Sequence, residues 1–326
     1  MKQGVSAIKT AVLISLTICI YFQLMATKCY SAEMPKKIFK AADTGIQLSR
    51  PTAHSASVQT NSPAQIKSTG LPSNGVFRFG RHEGYLLMPP NYRADRKYPL
   101  IIHFHGRGGN HIKSNLMTDS FSLFRQKALA RGYIMVTPGY GSDCWMNASA
   151  EDITLKCLEY VKERLSIDDS RVYILGCSMG GGAALTFAGR HPDNVEAVCD
   201  MFGVSDFERF YRAGHYHRSI STAFGGTPDE ILKVYRERSG ISYIEQLKSI
   251  PLLVIHGDKD GTVPLWNSQN LVDKLQAAGA HPMLIVVPGK GHSNALIKGL
   301  EDTVLDHFDA TVKKSCKQVP KEKKTN

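Results

Sequence analysis

Three short stretches of this chain hold residue types that could together move a proton and break an acyl bond. The first is Gly176-Cys177-Ser178-Met179-Gly180, a serine between two glycines. The second is His256-Gly257-Asp258-Lys259-Asp260-Gly261-Thr262-Val263-Pro264, and the third is Pro288-Gly289-Lys290-Gly291-His292. A serine hydroxyl is a weak nucleophile that needs a base within hydrogen-bond reach. An imidazole serves if a carboxylate holds its ring and tautomer. Ser178 is therefore the candidate nucleophile, His292 the general base and Asp260 the orienting acid. Asp260 is favoured because a Gly-Thr-Val-Pro turn follows it, a turn that Asp258 is expected to cap. Asp206 is a lesser alternative for the acid.

G-x-S-x-G chemistry needs a tight strand-to-helix turn, where side chains on the glycines would collide with the flanking elements. The backbone N–H groups at the start of the following helix then face developing negative charge. The Met179 N–H is one such donor. A second is expected from His103-Phe104-His105-Gly106-Arg107-Gly108-Gly109, through the N–H of Arg107 or Gly108. His103, His105 and His111 raise a metal reading, but no second ligand cluster with metal spacing accompanies them. Neither a metal nor an organic cofactor is implied. Cys177, beside the serine, is expected to point back into the packing rather than act as a nucleophile.

Elements that could position these residues alternate along the chain from Gly75 onward. Strands are expected at 83–88, 99–104, 133–137, 171–176, 195–201, 251–256 and 282–287. Helices are expected at 121–131, 150–165, from the elbow to 191, at 268–278 and at 301–314. Apolar strands separated by helices make a mostly parallel sheet covered on both faces, with its site beyond the carboxyl ends of the strands. Ser178, Asp260 and His292 each follow such a strand, and they occur in the order Ser, Asp, His.

The rest of the chain reads as appendage. Lys2 and Lys9, the apolar run 11–22 and the small residues Ala26, Ser31 and Ala32 describe a signal peptide over 1–32, cut after Ala26 or Ala32. An uncleaved anchor is the alternative, and a lipoprotein reading through Cys29 is weak. The chain is expected to be secreted or periplasmic, with no stable membrane insertion once the signal is removed. Residues 33–74 have linker composition, and residues 316–326 form a basic tail. Of the net charge of +11, three charges lie in residues 1–32 and five in residues 313–326, so the body carries about +3. Nucleic-acid binding is not implied. The seven cysteines show no paired spacing that suggests zinc.

With these residues in hand, the chain resembles the catalytic domain of the prolyl oligopeptidase family and its esterase relatives, over residues 85–310. The likeness is densest from Ser242-Tyr243 through the Asp260 motif to Gly289-Lys290-Gly291-His292. It implies an α/β-hydrolase fold and the triad Ser178, Asp260 and His292. The departures lie in the oxyanion segment His105-Gly106-Arg107-Gly108, closer to secreted feruloyl or acetyl esterases and polyhydroxyalkanoate depolymerases, and in a linker standing where family peptidases usually carry a β-propeller. The resemblance carries the fold and triad further than it carries peptidase activity.

The function expected is cleavage of a small carboxylic ester through an acyl-enzyme. The alternatives are a peptidase acting on short peptides and, from another class, a binding module without catalysis. The segment 203–248 is too long for a plain crossover and is rich in aromatic residues. It is expected to form a small lid, with Phe207, Tyr211 and Tyr216 lining the substrate pocket and Trp145 as a weaker candidate. Ordinary packing of the same rings is the competing reading.

Overall fold

The computed structural model describes residue 71 and residues 74–315, with side chains to residue 311. The expected signal peptide (1–32), the expected basic tail (316–326) and all of the expected linker (33–74) except residues 71 and 74 lie outside the described residues. In chain order the elements are β1 (Asn74–Phe79), β2 (His82–Leu87), β3 (Tyr98–Phe104), α1 (Ser122–Ala130), β4 (Ile134–Pro138), α2 (Ala148–Arg164), β5 (Ile167–Cys177), α3 (Met179–Arg190) and β6 (Ala197–Met201). Four short helices follow: α4 (Phe207–Arg212), α5 (His217–Phe224), α6 (Pro228–Glu237) and α7 (Ile244–Leu247). The chain closes with β7 (Leu252–Gly257), α8 (Trp266–Ala277), β8 (Met283–Val287) and α9 (Glu301–Ser315).

The eight strands form one sheet in the order β1-β2-β4-β3-β5-β6-β7-β8, antiparallel at β1, β2 and β4 and parallel from β4 to β8. β1 has no counterpart among the expected strands, although the expected linker boundary at residue 74 falls at its first residue. It pairs with β2 through a two-residue turn in which Gly80 takes φ +58°, the left-handed backbone such turns favour. Pro99 cannot donate to a ladder, and the β3–β5 register shifts between Tyr98 and Leu100, where it sits.

Alternation along each strand divides the interior in two. Leu100, Ile102, Phe104, Ile174 and Val254 face the layer containing α2, α3 and α8. Ile101, Tyr173, Leu175, Cys177 and Ile255 face the layer of α1 and α9. Each fully buried aliphatic side chain contributes roughly 1.5–3 kcal/mol, which fixes the strand register. The α/β-hydrolase expectation thus has a direct physical cause in the nearly continuous apolar runs. Among the described residues no helix is long and apolar enough to cross a membrane.

Helices α4–α7 form the insertion between β6 and β7. Its rings pack around Trp145 of the β4–α2 loop, which meets Phe207 at 5.8 Å, Phe210 at 6.4 Å and Tyr216 at 5.4 Å between centroids. The Trp145 indole N–H donates to Ser219 Oγ at 2.6 Å. A buried ionic knot holds the insertion to the body. Glu151 on α2 accepts from Arg190 and His191 at the end of α3 at 2.6 and 2.7 Å, and from Arg238, just past α6, at 2.6 Å. Burial alone would raise the Glu151 carboxyl, but the hydrogen bonds from Arg190, Arg238 and His191 outweigh it and hold it at about 2.

A carboxylate depressed on folding adds stability that is complete above its unfolded value, near 4.5, and is lost as pH falls towards 2. Glu151→Gln is expected to remove about 3 kcal/mol at pH 7, because the buried Arg238 is left without its counter-charge. Urea unfolding at pH 7 and at pH 3 checks this. The variant should show a shallower acid loss than the wild type.

Candidate active site

β5 delivers Ser178 to the top of the sheet in a backbone conformation that only constraint can hold, φ +59° and ψ −119°. Such a residue stores roughly 1–3 kcal/mol of strain. Its N–H donates to Met201 O at 2.9 Å, and α3 begins at the next residue. Both flanking glycines are required by contact with main chain. A Cβ on Gly176 would lie 2.1 Å from Gly180 O, and one on Gly180 would lie 2.0 Å from Phe104 O.

Loops after β7 and β8 bring the other two candidates to this serine. His292 Nε2 is 2.8 Å from Ser178 Oγ, and His292 Nδ1 is 2.7 Å from Asp260 Oδ2. Phe202 sets its ring edge-to-face against the imidazole at 4.7 Å. The two loops are pressed together. A Cβ on Gly257 would lie 2.2 Å from Lys290 O, and the Lys259 N–H donates to that same oxygen at 2.8 Å.

Asp260 does two jobs. Its Oδ1 accepts the N–H groups of Thr262 and Val263, both at 2.9 Å, while Oδ2 faces the histidines. Burial works against its charge, yet hydrogen bonds from His256, His292 and the Val263 N–H hold this carboxyl well below the usual carboxylate range. The capping role expected of Asp258 thus belongs to Asp260. Asp258 instead accepts the Gly289 N–H at 2.6 Å and ties the two loops together. Asp206 caps α4 by accepting the Arg209 N–H at 3.0 Å.

His256 was part of the sequence motif but had no assigned role. Its Nε2 lies 2.8 Å from Val263 O and 3.4 Å from Asp260 Oδ2, and Ser268 Oγ lies 2.6 Å from its Nδ1. A carbonyl only accepts, so the proton sits on Nε2 and the Ser268 hydroxyl donates to Nδ1. Asp200, at the end of β6, was also missed. It is buried, accepts the Gly203 N–H at 2.9 Å, and burial pushes its carboxyl up to about 7.

The oxyanion expectation needs one correction. The Gly108 N–H donates to Ser142 O at 2.7 Å and is spent on holding its own loop. Among the described residues, the N–H groups of Met179 and Arg107 have no backbone acceptor, so these two remain as donors. The neighbouring histidines are packed within the fold. Burial lowers His103 to about 3 and His105 to about 4, leaving both neutral, and His105 Nδ1 donates to Gly106 O at 2.9 Å. No three His, Cys, Asp or Glu side chains among the described residues are grouped to hold a metal ion. The Cys177 thiol is fully buried, 3.9 Å from Met201 Sδ, and burial pushes it up, away from the reactive thiolate.

A cavity of about 680 Å³ opens over Ser178 and His292. Of the four aromatic residues expected to line it, Tyr216 does so, with the Arg107 guanidinium 4.8 Å above its ring. Trp145, Phe207 and Tyr211 do not. They pack where the insertion meets the body: Trp145 of the β4–α2 loop and Phe207 are buried against each other, and Tyr211 packs edge-on against Tyr235. Asn115, Thr118, Asp119 and Ser120, with Ser293 and Asn294, also line the cavity; this polar lining carried no sequence signal.

A parallel sheet with a strained serine elbow, hydrogen-bonded through an imidazole to a buried carboxylate, defines the serine hydrolase class of the α/β-hydrolase fold. Comparison with known proteins narrows this: the prolyl oligopeptidase family model matches residues 119–314, and the chain belongs to that family. It is 31% identical to a protein of Aspergillus flavus named Probable feruloyl esterase C, over 40% of this chain and 49% of that protein. It is 23% identical to dipeptidyl-peptidase 5 of Porphyromonas gingivalis, over 64% of this chain and 32% of that one. The chain thus spans about half the length of such an esterase and a third of such a peptidase. Among solved structures, Pyrococcus horikoshii acylaminoacyl peptidase superposes with a TM-score of 0.60 at 20% identity, over 72% of this chain and 41% of that one. A truncated carbohydrate esterase from gut microbiota gives 0.57 at 19% identity, over 69% and 90%.

Proposed function

We propose that this protein is an exported serine hydrolase that cleaves small carboxylic esters. The observation that carries the reading is the continuous chain Ser178 Oγ, His292 Nε2, His292 Nδ1, Asp260 Oδ2, with links of 2.8 and 2.7 Å. Ser178 Oγ attacks the acyl carbon while His292 Nε2 takes its proton. The carbonyl oxygen becomes an oxyanion held by the N–H groups of Met179 and Arg107. His292 returns the proton to the departing alcohol, leaving an acyl-enzyme, and then activates water to release the acid. Asp260 keeps the proton on Nδ1 and stabilises the imidazolium. Export rests on the character of residues 1–32.

The ester reading is supported by the feruloyl esterase likeness and by the oxyanion segment around Arg107. A peptidase reading has its own support, since the match to dipeptidyl-peptidase 5 extends over more of this chain. Steady-state kinetics on p-nitrophenyl acetate and on a proline p-nitroanilide separate the two. The expected result is kcat/KM at least ~100-fold higher for the ester. Faster anilide turnover would reverse the assignment.

A further inference from the structure

Asn115 joins the two halves of this site. Its side-chain Oδ1 accepts the Gly106 N–H at 2.6 Å, and its Nδ2 donates to Oδ1 of Asn294 at 2.7 Å, a residue 179 positions away. Gly106 directly precedes Arg107, the second oxyanion donor, and Asn294 stands two residues beyond His292. Asn115 is itself anchored, because its carbonyl accepts both the N–H of Thr118 at 3.0 Å and the Thr118 hydroxyl at 2.7 Å.

The turn that Asn115 holds is rich in glycine and, left alone, would sample many backbone conformations. Gly106 O accepts from the Gly109 N–H at 3.1 Å and from His105 Nδ1 at 2.9 Å. In a trans peptide the Arg107 N–H points opposite to Gly106 O. Fixing Gly106 O therefore aims the Arg107 N–H away from those donors. The preceding peptide is gripped at both ends: His105 O accepts from the Tyr140 hydroxyl at 2.7 Å, and Asn115 takes the Gly106 N–H.

We propose that Asn115 is a positioning residue: it locks the oxyanion turn against the histidine loop, so that the Arg107 N–H and His292 Nε2 stay in register on one acyl carbon. The inference rests on the hydrolase reading above. It assigns Asn115 no contact with the reacting atoms.

The test compares wild type, Asn115→Ala and Asn294→Ala on p-nitrophenyl acetate. It adds the affinity of an aryl trifluoromethyl ketone and the thermal midpoint of each protein. Addition of Ser178 Oγ to the ketone carbon, with the hydroxyl proton passing to His292, creates the oxyanion without turnover. Complete loss of an oxyanion donor costs about 10²–10³-fold in kcat, so misplacing one costs less. Asn115→Ala is expected to lower kcat about 30–100-fold with KM within about twofold, and to weaken ketone binding by a similar factor. Asn294→Ala keeps the Gly106 contact and should lower both about 5–10-fold.

A folded Asn115→Ala protein with kcat within about threefold of wild type overturns the inference, as does a loss confined to KM with ketone affinity unchanged. If Asn115→Ala does not fold, Asn294→Ala decides, and wild-type kcat and ketone affinity in that variant overturn the proposal. An inactive wild type that binds no ketone removes the hydrolase reading itself. Active wild type with unaffected variants removes only the role given to Asn115.

Discussion

On the proposed reading, Ser178→Ala is expected to lower kcat for p-nitrophenyl acetate by about 10⁵–10⁶-fold and to abolish labelling by a fluorophosphonate probe. The probe reacts by attack of the serine oxygen on phosphorus with loss of fluoride, so it reports the nucleophile without a substrate of known identity. The alanine keeps the Met179 and Arg107 N–H groups in place, and a residual rate from oxyanion stabilisation remains. Its backbone stays at the same left-handed φ, so folding stability should change little. Labelling that persists in the variant would move the nucleophile elsewhere. Well-folded wild type that does not label would favour a binding module.

The second large effect is expected from Asp260→Asn, about 10⁴-fold in kcat. The direction follows from the local hydrogen bonds. The N–H groups of Thr262 and Val263 both point at Oδ1 and would keep the new amide oxygen on their side. The amide NH₂ is then turned towards His292 Nδ1 and demands a lone pair there. His292 must carry its proton on Nε2 and faces the Ser178 hydroxyl with N–H instead of a base. The same NH₂ also meets the Nε2 proton of His256, a second donor facing a donor. The measurement is kcat and KM on the ester with the folded variant. Activity within tenfold of wild type would show that Asp260 does not orient the base.

Much of the machinery was legible because it follows short-range rules. The buried runs of β3, β5 and β7 are nearly continuous in apolar residues, and the chemistry's residues follow β5 and β7 closely. Ser178 and His292 could be read from glycines that let backbones touch, at Gly176, Gly180 and Gly257. What could not be read are the contacts whose partners lie far apart in sequence. The Asn115–Asn294 bond spans 179 positions, and nothing local distinguishes either residue from any polar loop residue. Gly108 carries the same features as Arg107 as an N–H donor until Ser142 is found to accept from it. The aromatic residues of the insertion failed for another reason. Rings suited to a ligand pocket are equally suited to a small core, and an insertion of four short helices packs Phe207 against Trp145 of the body before a substrate can use either. Of the four rings expected at the pocket, Tyr216, with its left-handed φ of 49°, is the one that lines the cavity.

The insertion is fastened twice, by the cluster around Trp145 and by the Glu151–Arg238 pair. A wall fixed in that way has no need to swing aside before an ester reaches the serine. On the proposed reading, turnover of small esters is then expected to be governed by acyl transfer rather than by gating, and a kcat that falls with added viscosity or rises at a lipid–water interface would contradict this. On that reading selectivity is expected to fall to the standing shape of the cleft, with a bulky group refused instead of enclosed.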